Sequence, residues 1–194
     1  MFRFRRLPRT EVDDQILSAW GSPFASPRFL SLEGEAVPLD PGPFSHDRSR
    51  SSLGFGEVVF AAAKRAFANW EMFDLGWVRV ANAAAPIECR QIIAVEVRTL
   101  GLWTVNLSQI LETVDKETEF GFIYATTKQH VEQGEESFVL RLDPATGEVS
   151  YELEAVSRPR HILARLGFPM VRFFQHRFAR DSHRRMREAV NLNS

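Results

Sequence analysis

The sequence predicts an α+β domain in which one curved antiparallel sheet of about six to seven strands wraps a long C-terminal helix. Two observations carry this. Apolar residues recur at helical spacing up to Trp70, at a period near two from Gly76 to Val156, and at helical spacing again to Val190. The links between successive strand candidates are short and rich in turn formers, and strands so joined run antiparallel, because a parallel return needs a crossover of about a dozen residues.

Residues 11–20, EVDDQILSAW, suit a short first helix closed by Gly21 and Pro23. From Ser22 to Ser52 the chain carries five prolines and no sustained period, and reads as an extended lead-in wrapping the domain surface. In SSLGFGEVVFAAAKRAFANW an extended stretch, read as a first strand, and two glycines precede a helix from about Glu57 to Trp70, with Phe60, Ala63, Phe67 and Trp70 on one face. Glu57 sits where the positive end of the helix dipole favours a carboxylate. The Gly54 and Gly56 pair resembles part of a dinucleotide fingerprint, but Val59 holds the place of the third glycine, so the pair is read as a tight strand-to-helix turn.

Strands are predicted at Trp77–Ala81, Gln91–Thr99, Leu102–Thr113, Glu119–Thr127, Glu135–Asp143 and Glu148–Val156. In the last, Val149, Tyr151, Leu153 and Ala155 alternate with Ser150, Glu152 and Glu154, so one face of the sheet is wet. Leu100-Gly101 and DPATGE (143–148) mark reversals. After Arg158 and Pro159 the helical period returns, and Leu163, Leu166, Met170, Phe174 and Phe178 form an apolar stripe that must lie on the sheet. Pro169 inside that stripe predicts a kink or a short break near Gly167 and Phe168.

A chain of 194 residues is sized for one domain, with residues 1–52 forming the first helix and lead-in and 53–194 the core. Hydrophobic residues make up 44% and charged residues 25%, a folding composition. The longest apolar run, VVFAAA, is far short of the roughly 20 residues of a membrane-spanning helix. The arginine-rich start lacks the apolar stretch of a secretory signal. Cys89 is the one cysteine and is read as a small packed residue. Both features suit a reducing cytoplasm.

The net charge of −1 conceals a polarity. Residues 107–157 hold eleven acids against three bases, and residues 158–190 nine arginines against two acids. The expected outcome is an arginine-rich helix face answered by an acidic sheet. The arginines fall at every helical angle instead of tracking phosphates, so nucleic-acid binding is not expected.

The element order is that of a helix-grip domain. Three blocks, LGFGEVVFAAAKRAFANWEMFDLGWV, GFIYATTKQHVEQGEESF and SRPRHILARLGFPMVRFFQHRFARDSHRRMREAV, resemble the distinctive segments of the domain-of-unknown-function family numbered nineteen-ninety. The resemblance spans nearly the whole chain. It implies a helix-grip fold, similar to START-like and birch-allergen-like proteins, and no established activity. Where that family carries a glycine- and proline-containing loop after the tyrosine, this chain has ATTKQHVEQ.

His130 and Glu132 project from one side of an extended chain, and Glu135 and Glu136 open the next strand. These are residue types for metal or acid–base work, but the spacing is not diagnostic, and a polar hairpin is the first reading. His176 and His183 lie about 10.5 Å apart along a helix, too far to share an ion, and are read as surface residues. Asp181, Ser182 and His183 are the residue types of a hydrolase triad, yet consecutive helical residues diverge by about 100°. Asp181 continues the stripe of Phe174 and Phe178, with Arg177 one turn back as its partner. Trp103 and Tyr124 combine apolar rings with polar atoms, as the lining of a partly wet pocket would.

The expected function is binding of a small, largely apolar molecule, between sheet and C-terminal helix, by a soluble cytoplasmic protein. Its expected contacts are Trp103, Tyr124, His130, Glu132, Phe174, Phe178 and Asp181. One alternative is an enzyme using His130 with Glu132 or Glu135 as proton carriers. Another is an interaction module whose arginine-rich helix meets an acidic partner or anionic lipid. The reading leans away from an enzyme. No catalytic residue, metal ligand or cofactor is assigned, and no oligomeric state follows.

Overall fold

The computed structural model describes residues 3–21, 28–32, 44–127, 132–159 and 168–193. Seven strands form one sheet: β1 (Ser45–Phe55), β2 (Val78–Val80), β3 (Ile92–Thr99), β4 (Leu102–Asp115), β5 (Glu119–Thr126), β6 (Glu132–Leu142) and β7 (Glu148–Pro159). Their spatial order is β1-β7-β6-β5-β4-β3-β2, antiparallel throughout, so the first strand closes against the last. The helices among the described residues are α1 (Arg9–Ala19), α2 (Glu57–Ala68) and α3 (Phe168–Asn193), with a 3-10 turn at Glu71–Phe73.

The hairpins follow from their turn residues. Leu100 (φ 51°) and Gly101 (φ 80°) take the left-handed backbone that a two-residue turn between β3 and β4 demands. In the β6–β7 link, Asp143 accepts hydrogen bonds from the backbone N–H groups of Ala145 and Thr146. Gly56, at φ 89°, makes the strand-to-helix turn into α2.

Curvature has two sources. Register shifts lie between Ser52 and Gly54 of β1 and between Ile110 and Glu112 of β4, and bulges bend the strand that carries them. At Gly121 and Gly134, a Cβ would collide with the carbonyl oxygens of Phe138 and Val156 on the neighbouring strands, so the sheet bends where only glycine fits.

The concave face holds the main core. Phe67, Trp70, Met72, Phe73, Phe122, Phe138 and Tyr151 pack there, with α2 beneath and Met186, Ala189 and Val190 of α3 alongside. Burying each large apolar side chain contributes about 1.5–3 kcal/mol, which fixes α2 and the second half of α3 to the sheet. The convex face carries two smaller clusters. Val12 and Ala19 of α1 cover Ile92, Ala94 and Leu107, and Leu30 covers Ile123 and Val156.

Several expectations need correction. Ser45–Ser52 belongs to β1 and is not lead-in: its alternation is polar on both faces, but its backbone pairs with β7. Strand β7 runs on to Pro159, three residues past its expected end, and α3 is described from Phe168, which places Pro169 in its first turn, where a missing N–H costs nothing; Gly167, the expected place of a kink or short break, lies outside the described residues. Leu163 and Leu166 lie outside the described residues. Helix α2 ends at Ala68, and Trp70 reaches the core through a left-handed backbone (φ 58°). Cys89 is exposed. The acids of the sheet are answered mainly from within it, Glu148 and Glu152 by Arg50, and Glu119 by Arg141. Of the α3 arginines, Arg172 meets a sheet acid, Asp47 of β1, whereas Arg177 meets Asp181 of its own helix and Arg185 meets Glu71 and Asp74.

Candidate functional site

The concave face is packed solid only at its α2 end. Toward the first half of α3 it opens into a cavity of about 420 Å³, within the range of small-molecule sites. Its roof is Phe174, Gln175, His176, Phe178 and Ala179 of α3, and its floor is laid by strand register. One row of the floor runs Tyr124, Glu136, Ala155, Asp47 across β5, β6, β7 and β1. A second pairs Val95 and Val97 of β3 with Asn106 and Thr104 of β4.

Tyr124 donates a hydrogen bond of 2.6 Å to Glu136 Oε2 on this floor. Sequence reasoning passed over Glu136 in favour of its neighbours. The period of two would have found it, since Phe138 and Leu140 are core and Glu136 lies on their face. Phe178 packs on Phe73 at 5.4 Å, and Phe174 on Trp77 at 5.9 Å, so the roof helix is tied to the floor by aromatic contacts.

Asp181 anchors that helix without lining the cavity. It accepts a 3.1 Å hydrogen bond from Trp77 Nε1 and lies among Arg177, Arg180 and Arg184. Burial pushes its pKa up, but the Trp77 hydrogen bond and the arginines outweigh this and hold it below the usual carboxylate range. At the cavity mouth Arg172 grips Asp47 with both terminal nitrogens, tying the first turns of α3 to β1. The hydrogen bond from Arg172 holds the Asp47 pKa low, against burial.

His183, expected at the surface, is buried. Its Nε2 lies 2.8 Å from Ser49 Oγ and its Nδ1 2.8 Å from Ser51 Oγ, with its ring 4.8 Å from that of Tyr151. Ser182 bonds instead to Tyr151 and Asp181 to Trp77, so the three consecutive side chains diverge to three partners. Burial, then the charge of Arg187, lowers the His183 pKa to about 4. Burial raises the Tyr151 hydroxyl pKa.

Trp103 needs correction as a cavity residue. It lies on the convex face of β4, stacked with the guanidinium of Arg6 at 4.4 Å, because its parity on the strand is that of Val105 and Leu107. Glu135 also points to that face, where it accepts 2.9 Å hydrogen bonds from the backbone N–H groups of Phe29 and Leu30. Desolvation raises its pKa despite those two bonds. Glu112 holds the same segment through Leu32 N and Arg28. Glu135 is therefore a structural staple and not a proton carrier for the cavity. His130 lies outside the described residues, as does the side chain of Glu132, whose backbone pairs with Pro159. Among the described residues no group of His, Cys, Asp and Glu is placed to hold a metal ion, and no helix is long and apolar enough to cross a membrane.

Comparison with solved structures recovers this architecture. Protein TTHA0849 from Thermus thermophilus aligns over 77% of this chain and 99% of its own, with a TM-score of 0.56 at 15% identity. The Zhui aromatase/cyclase from Streptomyces sp. R1128 aligns over 76% and 94%, with a TM-score of 0.51 at 12% identity. Identities this low show a shared fold alone. In sequence, a UPF0548 protein of Dictyostelium discoideum is 31% identical over 210 residues, covering 100% of this chain and 97% of its own length. A UPF0548 protein of Arabidopsis thaliana is 28% identical, covering 96% of each. The profile described as "Domain of unknown function (DUF1990)" matches residues 32–185, the stretch that builds sheet, cavity and roof, and the chain belongs to that family.

Proposed function

We propose that this protein binds a small, largely apolar molecule in the cavity between sheet and α3, in the cytoplasm. The observation that carries the reading is the uneven filling of the concave face. Aromatic side chains close one end, and the other keeps about 420 Å³ lined by Val78, Val95, Val97, Leu153, Phe174 and Phe178. Apolar walls with a few fixed polar groups are the usual make-up of a ligand site. Tyr124, Phe174 and Phe178 are the sequence-predicted contacts that this reading keeps. The lone exposed cysteine suits a reducing compartment.

The test is native mass spectrometry of gently purified protein, joined to a thermal-shift panel of fatty acids, sterols and aromatic metabolites. A ligand at about 100 times its Kd stabilises by about 2.7 kcal/mol, a shift of several degrees. Ala155→Trp, which fills the floor, is expected to abolish the shift. An unliganded mass together with a flat panel overturns the proposal.

A further inference from the structure

Strand β4 wears its polarity inside out. On most half-buried strands the apolar side chains face the core and the polar ones the solvent. Here Val105 and Leu107 point to the convex face, against α1, while Thr104, Asn106 and Ser108 point into the cavity. Ser108 is 2% exposed. Among the described residues, neither its hydroxyl nor the Asn106 carboxamide makes a side-chain hydrogen bond. Both residues line the cavity, Asn106 half-buried, so their hydrogen-bonding capacity stays open to whatever the cavity holds, and a ligand that met it with apolar surface alone would forfeit about 1–3 kcal/mol for each group it desolvated.

We infer that β4 reads an uncharged, oxygenated edge of the ligand. Asn106 and Ser108 each donate and accept hydrogen bonds and carry no charge. Positions i and i+2 on a strand stand about 7 Å apart. The matching molecule has a flat or extended apolar body lying against Val95 and Val97, with hydroxyl or carbonyl oxygens spaced about 7 Å along one side. Thr104, one step further, spends its hydroxyl on the Val97 carbonyl at 3.5 Å and marks the end of the row. This assignment rests on the binding reading above and narrows it to a class of ligand.

Four probes on one carbon skeleton test it: naphthalene, 2-naphthol, 2,6-dihydroxynaphthalene and 2-naphthoate, titrated by calorimetry or ligand-observed NMR. On the native protein, affinity is expected to rise about 2- to 10-fold with each hydroxyl, and 2-naphthoate to bind more weakly than 2-naphthol. In Asn106→Leu/Ser108→Ala the order is expected to invert, naphthalene becoming the tightest. Should that variant not fold, the ranking on the native protein decides alone. Naphthalene equalling 2,6-dihydroxynaphthalene there overturns the oxygenated edge and leaves apolar binding standing. No binding by any of the four, with a flat thermal-shift panel, overturns both.

Discussion

Lowering the pH from 7.5 to 5.0 should destabilise this protein through one buried imidazole. His183 sits between Ser49 and Ser51 with its ring against Tyr151, and its pKa is lowered to about 4 by burial first and by Arg187 second. Hydrogen bonding is not the obstacle to protonation, because both serine hydroxyls can turn to accept. The cost lies in charging a desolvated ring. In the unfolded chain the same group titrates near 6.5, so between about pH 6.5 and 4 the unfolded state binds a proton that the native state does not. Stability is therefore lost as pH falls through this window, at about 1.4 kcal/mol per pH unit, reaching about 2 kcal/mol at pH 5.0. Urea denaturation of the native protein and of His183→Gln at both pH values isolates the effect. Glutamine keeps a donor and an acceptor for the serines and does not titrate. Glu135 works in the opposite direction, since its raised pKa lets the native state bind the extra proton, but it is common to both proteins. The variant should lose about 2 kcal/mol less between the two pH values. Parallel losses in both proteins would refute the assignment of a neutral, desolvated His183.

Glu135→Ala should leave the N–H groups of Phe29 and Leu30 without their acceptor, costing about 1–3 kcal/mol and speeding hydrogen exchange in residues 28–32, whereas Glu135→Gln retains most protection. Unchanged exchange in the alanine variant would mean the staple does not hold the segment. For Asp181→Ala, loss of the Trp77 Nε1 bond is expected to lower the thermal midpoint by several degrees and to alter tryptophan fluorescence. A midpoint equal to the parent's would place the α3 anchor elsewhere. Gly134→Ala drives a methyl into the Val156 carbonyl and should destabilise by more than about 3 kcal/mol, read as loss of soluble protein or of urea resistance. A variant as stable as the parent would show that the sheet can flatten there.

The strands were legible because turn chemistry and a period of two agree from Gly76 onward, and their predicted ends fall close to those observed. Strand β1 was legible only at its end, as the extended stretch before Gly54, because SHDRSRS has no apolar alternation: as an edge strand it is held by backbone pairing with β7 and by arginine–glutamate contacts. Helix α3 was legible as a stripe through Phe174 and Phe178, but Met170, expected on the same stripe, is 51% exposed, because it lies in the first turn of the helix. At the site, Phe174 and Phe178 followed from helical spacing alone. Trp103 and Glu135 required knowing which parity of β4 and β6 faces the cavity. Polarity misled in both, because β4 turns polar residues inward and β6 buries an acid outward. His183 could not be placed from sequence, because its partners Ser49 and Ser51 lie more than 130 residues away on a strand without an apolar signal.

The claim that the space under α3 receives a ligand is tested most directly by methyl NMR during titration with an apolar probe such as 2-naphthol. The expected shifts fall on the Val78, Val95, Val97 and Leu153 methyls that line the cavity, while Leu140 and Val149 in the packed end stay still. Shifts centred on the packed end or on the convex face, or none at saturating probe, would contradict it.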